Sequence, residues 1–469
     1  MTRTLRGLSD IRQHFFRDPT PVYYVCETSY YLMGMDEWVR GFRYINLCDC
    51  FDGAHPRVLV PSVPKPWHDY STLEEVNRDL LASPEFADYV KANGPGRCVM
   101  FLFDEECVEL AESLGLTVIF PPLELRRMAD GKVTATRLAD RAGVPGVPNA
   151  LGKVDSWQSL RSLADAAGLG PELVVQTPYG DSGMTTFFIA SEADFAKWSD
   201  RIVAETEVKV MRRIRSRAAA QEACVTKAGT LVGPLMTELI GFPELTPWKG
   251  GWAGNEAAAD AFSAELRDQA RDKTVRVGEE LRKIGYRGAF ELDYLVDLDS
   301  GELYLGEINP RITGVSGMTN LAAFAHADAP LFLFHLLEFS DIPFEVDVEA
   351  LNRRWSDPEN IDDWSQLILK STDPTPGVLV AAPTTGVWRM PEEGGAIEFL
   401  RPQTHRRTVD SESEAFVLRH AAVGDHIAEG ADLAVIVTRG RLLDDEGRLG
   451  ERAQRWIAAV RARFQTEAL

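Results

Sequence analysis

The chain has 469 residues, 45% of them hydrophobic and 26% charged, with 50 basic against 71 acidic side chains and a formal net charge of -21. That length exceeds what one hydrophobic core supports, so about two to four domains or lobes are expected. The acidic surface repels nucleic acid and anionic membranes, and no apolar run is long enough to span a bilayer. With Met1-Thr-Arg-Thr-Leu-Arg6 leading into polar sequence, the expectation is a cytoplasmic protein with no nucleic-acid and no membrane partner.

In chain order, residues 21–26 and 98–103 are short, β-rich apolar runs of the kind buried in a parallel sheet. After the second, Asp104 is placed to cap a helix carrying Cys107, Leu110 and Leu114 on one face. Gly115 ends that helix, and residues 117–120 return as a strand. This β-α-β pattern predicts a Rossmann-like lobe. No Gly-x-Gly-x-x-Gly follows its strands, which argues against a dinucleotide. The six cysteines lack metal or redox spacing, and Cys48-Asp-Cys50 reads as structural thiols.

From residue 126 the pattern changes. A helix over 133–142 is ended by Gly143, and a second opens at Asp155-Ser156 with Trp157, Leu160 and Leu163 on one side. A strand at 173–176, a glycine-containing loop at 179–183 and a strand at 185–189 follow. The segment 236–255, rich in Trp, Pro and Gly, reads as a stiff loop on which Glu238, Trp252 or Asn255 faces a substrate. A helix through Ala270, Val277, Leu281 and Ile284 ends at Gly285 and feeds residues 288–311. Beyond residue 340, prolines and Gly394-Gly395 break up a β-rich stretch, and an amphipathic helix covers about 449–464.

Residues 288–311 carry the chemistry. They read as two alternating strands about a turn at Asp299, Ser300 and Gly301, so Asp293 on the first and Glu307 on the second come together. Two adjacent carboxylates repel unless a cation lies between them. Magnesium suits the position, because it takes one or two carboxylates and fills its remaining sites with substrate phosphates. Asn309 adds a neutral oxygen and Arg311 a fork of donors for phosphate or carboxylate.

This hairpin resembles the metal-binding end of the ATP-grasp ligases, where an acid on one strand is followed by Glu-x-Asn-x-Arg on the next. Within that superfamily it is similar to the biotin-carboxylase-like and amino-acid (peptide) ligase branches. The resemblance implies a mixed α/β and α+β fold. Its parts would be a Rossmann-like N-terminal lobe over 1–125, a two-lobed ATP clamp over 126–340 with a small lid lobe over 143–207, and a C-terminal β-rich extension over 341–469. It also implies ATP and one or two magnesium ions, manganese being the alternative.

Carried onto this chain, the resemblance makes Asp293, Glu307 and Asn309 metal ligands and Lys132 the first phosphate-binding lysine. The family's second lysine should end the strand before the glycine loop, where this chain has Gln176, a donor without charge. Lys132, Arg287, Arg311 and magnesium are then left to neutralise the phosphates, with Arg311 and Arg287 as catalytic cations. Gly180, Ser182, Gly183 and Thr185 match the flap that folds over the triphosphate. Met211-Arg-Arg-Ile214 stands where family members carry Glu-Glu-x-Leu, so adenine recognition falls to the Arg212 carbonyl and the Ile214 amide, and Glu222 is the candidate for the ribose.

Family members phosphorylate a carboxylate with ATP and let a nucleophile displace phosphate. The expected activity is an ADP-forming carboxylate–amine ligase acting on an amino acid or small peptide, as in the stand-alone peptide ligases of secondary metabolism. The alternatives are a carboxylase serving a separate biotin carrier, since no Met-Lys-Met is present, and a non-catalytic nucleotide-binding regulator. Related dimers suggest a homodimer by analogy, although no residue fixes a pairing surface.

Overall fold

The computed structural model describes residues 4–180, 185–321, 328–391, 395–405, 409–444 and 446–469. The N-terminal lobe is a five-stranded parallel sheet with Val22–Cys26 at its centre, between Phe42–Asn46 and Arg97–Met100. All five residues of Val22–Cys26 are buried, as a strand covered by helices on both faces requires. Asp104 caps the helix Glu105–Ser113 by accepting from the Cys107 amide at 2.9 Å. The strand expected to reach residue 103 ends at Met100. Phe101 and Phe103 leave the sheet, and each lies under an arginine, Arg311 and Arg126 respectively.

The segment expected as a lid folds, with the strand that follows it, into a four-stranded antiparallel sheet, called the lid below, in the order Asn149–Gly152, Val208–Arg212, Leu173–Gln176, Thr186–Ile189. Alternation divides it cleanly. Leu173, Val175, Phe187, Val208 and Val210 pack under the helices Trp157–Ala166 and Glu192–Val203. The other face carries Val174 and Gln176 on one strand and, as their register partners, Met211 and Lys209 on the next.

The third unit is an eleven-stranded sheet. It runs from Leu303–Asn309 and Gly288–Asp297 through Ser216–Thr226, Met236–Ile240 and Trp252–Ala257 into Trp364–Lys370, Asp432–Arg439 and the strands beyond. Trp252–Ala257 pairs with Trp364–Lys370, so the sheet is continuous across residue 340. The segment expected as a stiff loop is in part a bulged strand pair, and Asn255 is fully buried, accepting from Gln366 Nε2 at 3.2 Å. The helix Ala264–Lys283, capped by Ser263, lays Ala270, Val277 and Leu281 on one face of this sheet. Leu449 to Phe464 reads in the structure as the helix Glu451–Arg461, which buries Trp456, Ile457 and Val460. Among the described residues no helix is long and apolar enough to cross a membrane.

Candidate active site

The strands Gly288–Asp297 and Leu303–Asn309 pair as a hairpin whose two faces do different work. Phe290, Leu292, Tyr294 and Val296, with Leu303, Leu305 and Ile308 opposite, form the apolar face against the long helix. The lid-facing side carries Glu291, Asp293 and Leu295 on the first strand and Tyr304, Glu307 and Asn309 on the second. Strict alternation from Tyr304 would send Glu307 into the core. It does not, because Asp293 pairs with Glu307 while Tyr294 pairs with Leu305, leaving Gly306 as an extra residue. This β-bulge resets the alternation and turns Glu307 and Asn309 to the same side as Asp293.

Four segments meet around Glu307. Gln176 Nε2 donates to Glu307 Oε1 at 2.9 Å, and Lys132 Nζ lies 3.6 Å from the same oxygen. Lys132 Nζ also donates to the Gly180 carbonyl at 2.7 Å, and its backbone amide to Pro178 O at 2.9 Å, which ties the helix start to the lid loop. Gly180 has φ 141° and a Cβ there would strike Thr185, so glycine is required at that corner. Thr185 is buried beside it; Ser182 and Gly183 lie outside the described residues. From the lid, Lys209 Nζ donates to the bulge carbonyl of Gly306 at 3.3 Å. Burial lowers the Lys209 pKa to about 8, with Glu307 opposing and Lys132 adding to that shift.

Farther along the cleft, Val147, Val174 and Met211 from the lid side pack with Ile214, Leu295 and Tyr304. This apolar slot lies between the lid strands and the hairpin strands. Ile214 belongs to it. Arg212 does not, because it alternates to the outer face of the lid and donates to Gly168 O at 3.1 Å, leaving only its backbone near the slot.

On the other side of Asp293 lies an acidic group. Ligand oxygens of Glu238, Glu291 and Asp293 are all within 4.8 Å of one another. Asn309 Nδ2 donates to Glu291 at 2.8 Å and to Asp293 at 3.3 Å, while its Oδ1 accepts from Arg311 at 2.5 Å. As placed, Asn309 therefore turns its NH2 rather than its oxygen toward the acids. Glu291 is 2% exposed and its Oε1 has no hydrogen-bond partner among the described residues. Burial, then Asp293, pushes the Glu291 carboxyl well above its usual range, and burial with Asp293 and Glu307 does the same to Glu238. A mutually repelling set of hard oxygens, half-buried at Glu238 and Asp293 and buried with one unpartnered oxygen at Glu291, fits a bound magnesium ion. Glu222, the register partner of Glu291, accepts from Ser316 Oγ, and burial pushes its carboxyl up to about 7. It sits at the acidic end, away from the apolar slot.

Arg311 lies 3.5 Å from Asp130 and over the Phe101 ring at 5.8 Å. Beside it, Arg126 stands over Phe103 at 4.4 Å. Arg126 is 8% exposed, its Nη1 has no hydrogen-bond partner and no carboxylate oxygen lies within 4 Å of it among the described residues. Burial and then Arg311 lower its pKa. Arg287 is not part of this group: it is exposed, with its guanidinium 4.2 Å over the Phe339 ring at the opposite end of its strand. The expected site thus gains Glu291, Lys209 and Arg126, and Glu238, expected to face a substrate, joins its acidic group. Glu291 was legible as the residue two before Asp293, but Arg126 carries no local signal.

This architecture has known counterparts. No protein-family model matches the chain. The 2-oxoglutarate carboxylase biotin carboxylase domain dimer of Hydrogenobacter thermophilus, solved with MgADP, ADP and bicarbonate, superposes with a TM-score of 0.60 at 14% identity, over 95% of this chain and 90% of that one. The chain has the ATP-grasp fold. Among curated proteins, the bifunctional enzyme MurC/Ddl of Chlamydia pneumoniae is 24% identical over 46% of this chain and 28% of its own length. Biotin carboxylase of Haemophilus influenzae is 26% identical over 44% and 45%. The chain therefore spans less than half the length of either curated relative it matches.

Proposed function

We propose that this ATP-grasp protein is an ADP-forming carboxylate–amine ligase. The observation that carries the reading is the convergence on Glu307: Asp293 opposite it across the bulge, Lys132 and Gln176 reaching its Oε1 from two other segments, and the lid loop corner at Gly180 held by the same lysine. In this reading ATP lies between lid and hairpin, with adenine in the slot of Val174, Met211, Ile214, Leu295 and Tyr304 and phosphates at the Lys132–Glu307 end. The ATP-binding unit corresponds to residues 126–340.

Asp293, Glu307 and Glu291, with Glu238 beside them, would hold magnesium, or manganese, which accepts the same hard oxygens. Bound there, the ion would offset the repulsion between ATP and an anionic substrate. Arg126 and Arg311 form a pair of neighbouring buried guanidiniums, with the half-buried Asp130 3.5 Å from Arg311. Two such forks suit the substrate carboxylate and the acyl phosphate made from it. The carboxylate oxygen takes the γ-phosphoryl group as ADP leaves; the amine nitrogen then bonds to the acyl carbon as phosphate leaves.

The acidic row favours an amine as second substrate. Glu238, Glu291 and Asp293, with Glu222 beside Glu291, outnumber the one or two carboxylates that magnesium takes, and a second cation such as a substrate ammonium would favour the ionised form of the carboxyls that burial raises. An amino acid or small peptide is the substrate class proposed, in the manner of cytoplasmic peptide ligases of secondary metabolism. A carboxylase acting on a separate biotin carrier is the second reading, favoured by likeness to a biotin carboxylase domain that extends over nearly the whole chain. That neighbour is a dimer, which makes a homodimer the assembly to test.

The deciding experiment measures ADP and phosphate release from Mg-ATP against panels of carboxylates and amines. Amine-dependent turnover supports the ligase. Turnover only with bicarbonate and biotin carrier supports the carboxylase, and nucleotide binding without turnover supports a regulator.

A further inference from the structure

The lid presents a second cation to the same cleft. Lys209 is the register partner of Gln176 on the adjacent antiparallel strand, so both side chains leave the same face, the one that also carries Val174 and Met211. Lys209 is 3% exposed. Among the described residues its Nζ has one hydrogen bond, to the Gly306 carbonyl at 3.3 Å, and no carboxylate oxygen within 4 Å. Lys132, by contrast, already holds the Gly180 carbonyl and lies 3.6 Å from Glu307.

A buried ammonium with one of three donors used and no carboxylate in direct contact is unfavourable, and replacing it with methionine would relieve the penalty. A small cavity opens beside it, lined by Ala135, Thr136, Gly146, Lys209, Gly306 and Glu307. Lys132 and Lys209 thus flank Glu307 from the helix side and the lid side, with the Gln176 amide between them. An anion lying over Glu307 on a bridging cation would find positive charge on both sides.

We propose that Lys209 is a phosphate-binding residue for the nucleotide, supplying from the neighbouring strand the positive charge that Gln176 lacks. This rests on the ATP-dependent reading above. The geometry permits the exchange because facing residues of an antiparallel pair have Cα atoms about 4.5–5.5 Å apart, less than the length of a lysine side chain. A cation at 209 and a cation at 176 can therefore serve one phosphate.

Calorimetric titration with Mg-ATP and with adenosine tests this on the full chain, using wild type, Lys209→Met and Lys209→Met/Gln176→Lys. The single variant should bind ATP at least about tenfold more weakly, the scale of one charge-assisted hydrogen bond, with adenosine affinity and melting temperature retained or raised. The double variant should recover most of the ATP affinity, a rescue that a merely structural lysine would not give. ATP affinity unchanged in Lys209→Met overturns this assignment alone. Equal losses for ATP and adenosine, unrescued by Gln176→Lys, also overturn it by making Lys209 structural. Wild-type protein that binds no nucleotide overturns the ligase reading itself.

Discussion

Asp293 and Glu307 are Cα partners across a ladder that has one residue too many on the Glu307 side. The surplus residue, Gly306, has its Cα where a Cβ would come within 3.2 Å of the Asp293 carbonyl, and its own carbonyl is free to accept from Lys209. One bulge therefore sets the facing carboxylate pair, aims Asn309, and provides the lid with a contact point.

Replacing Glu307 by Gln keeps the shape and removes the charge shared by Lys132, Gln176 and a bound ion. Magnesium-dependent ATP turnover should fall by about a thousandfold or more, since metal-assisted charge stabilisation is worth several kcal/mol. Circular dichroism should be unchanged. Wild-type turnover in this variant would remove Glu307 from the site.

Glu238 repels Asp293 and Glu307 from a buried position. Glu238→Gln should raise the melting temperature measured in EDTA, because the like-charge strain is relieved. The stabilisation gained on adding magnesium should shrink, because binding to the native state is weaker. A larger magnesium shift in the variant would contradict the placement of the ion.

Arg126 is buried with its Nη1 unpartnered among the described residues, as a side chain kept for a ligand would be. Arg126→Met should stabilise the protein by about 1 kcal/mol in urea unfolding while lowering carboxylate-dependent turnover, because a buried charge with an unpartnered Nη1 is replaced by an unbranched apolar side chain. Loss of stability together with full turnover would make Arg126 a packing residue.

His335 links three units. Its Nδ1 accepts from the Ala289 amide at 3.0 Å, so its proton lies on Nε2, which donates to Ile119 O at 2.7 Å. Burial lowers its pKa from 6.5 to about 3. Between these values the unfolded chain takes up a proton that the folded protein refuses. The contribution of His335 is thus fully present above about pH 6.5 and lost as pH falls toward 3, with a slope approaching about 1.4 kcal/mol per pH unit. His335→Gln can accept and donate in the same places, and urea unfolding across that range should give a shallower pH dependence. Identical slopes would show that the imidazole is not the titrating group.

Much of the site was legible where its parts are close in sequence. The alternation of Glu291, Asp293 and Leu295, and the run Glu307-Ile-Asn-Pro-Arg311, define one polar face whatever surrounds the hairpin. Even the bulge leaves a trace, since the core residues Leu303, Leu305 and Ile308 are spaced by two and then by three. Lys132 was legible as the residue starting its helix. Arg287 was not, because nothing local to it signals the Phe339 ring, just past the helix Phe332–Glu338, that it covers.

Local periodicity determined the strands, helices and turns of this protein, because backbone alternation and capping depend on residues a few positions apart. Tertiary structure alone decided that Gln176 would reach Glu307 across 131 residues, that Lys209 would lie beside Gln176, and that two phenylalanines leaving the N-terminal sheet would each receive an arginine from elsewhere. Those contacts follow from how whole sheets and helices pack. The free energy that selects such packing is spread over the buried apolar faces, so it leaves no mark at the polar residues it brings together.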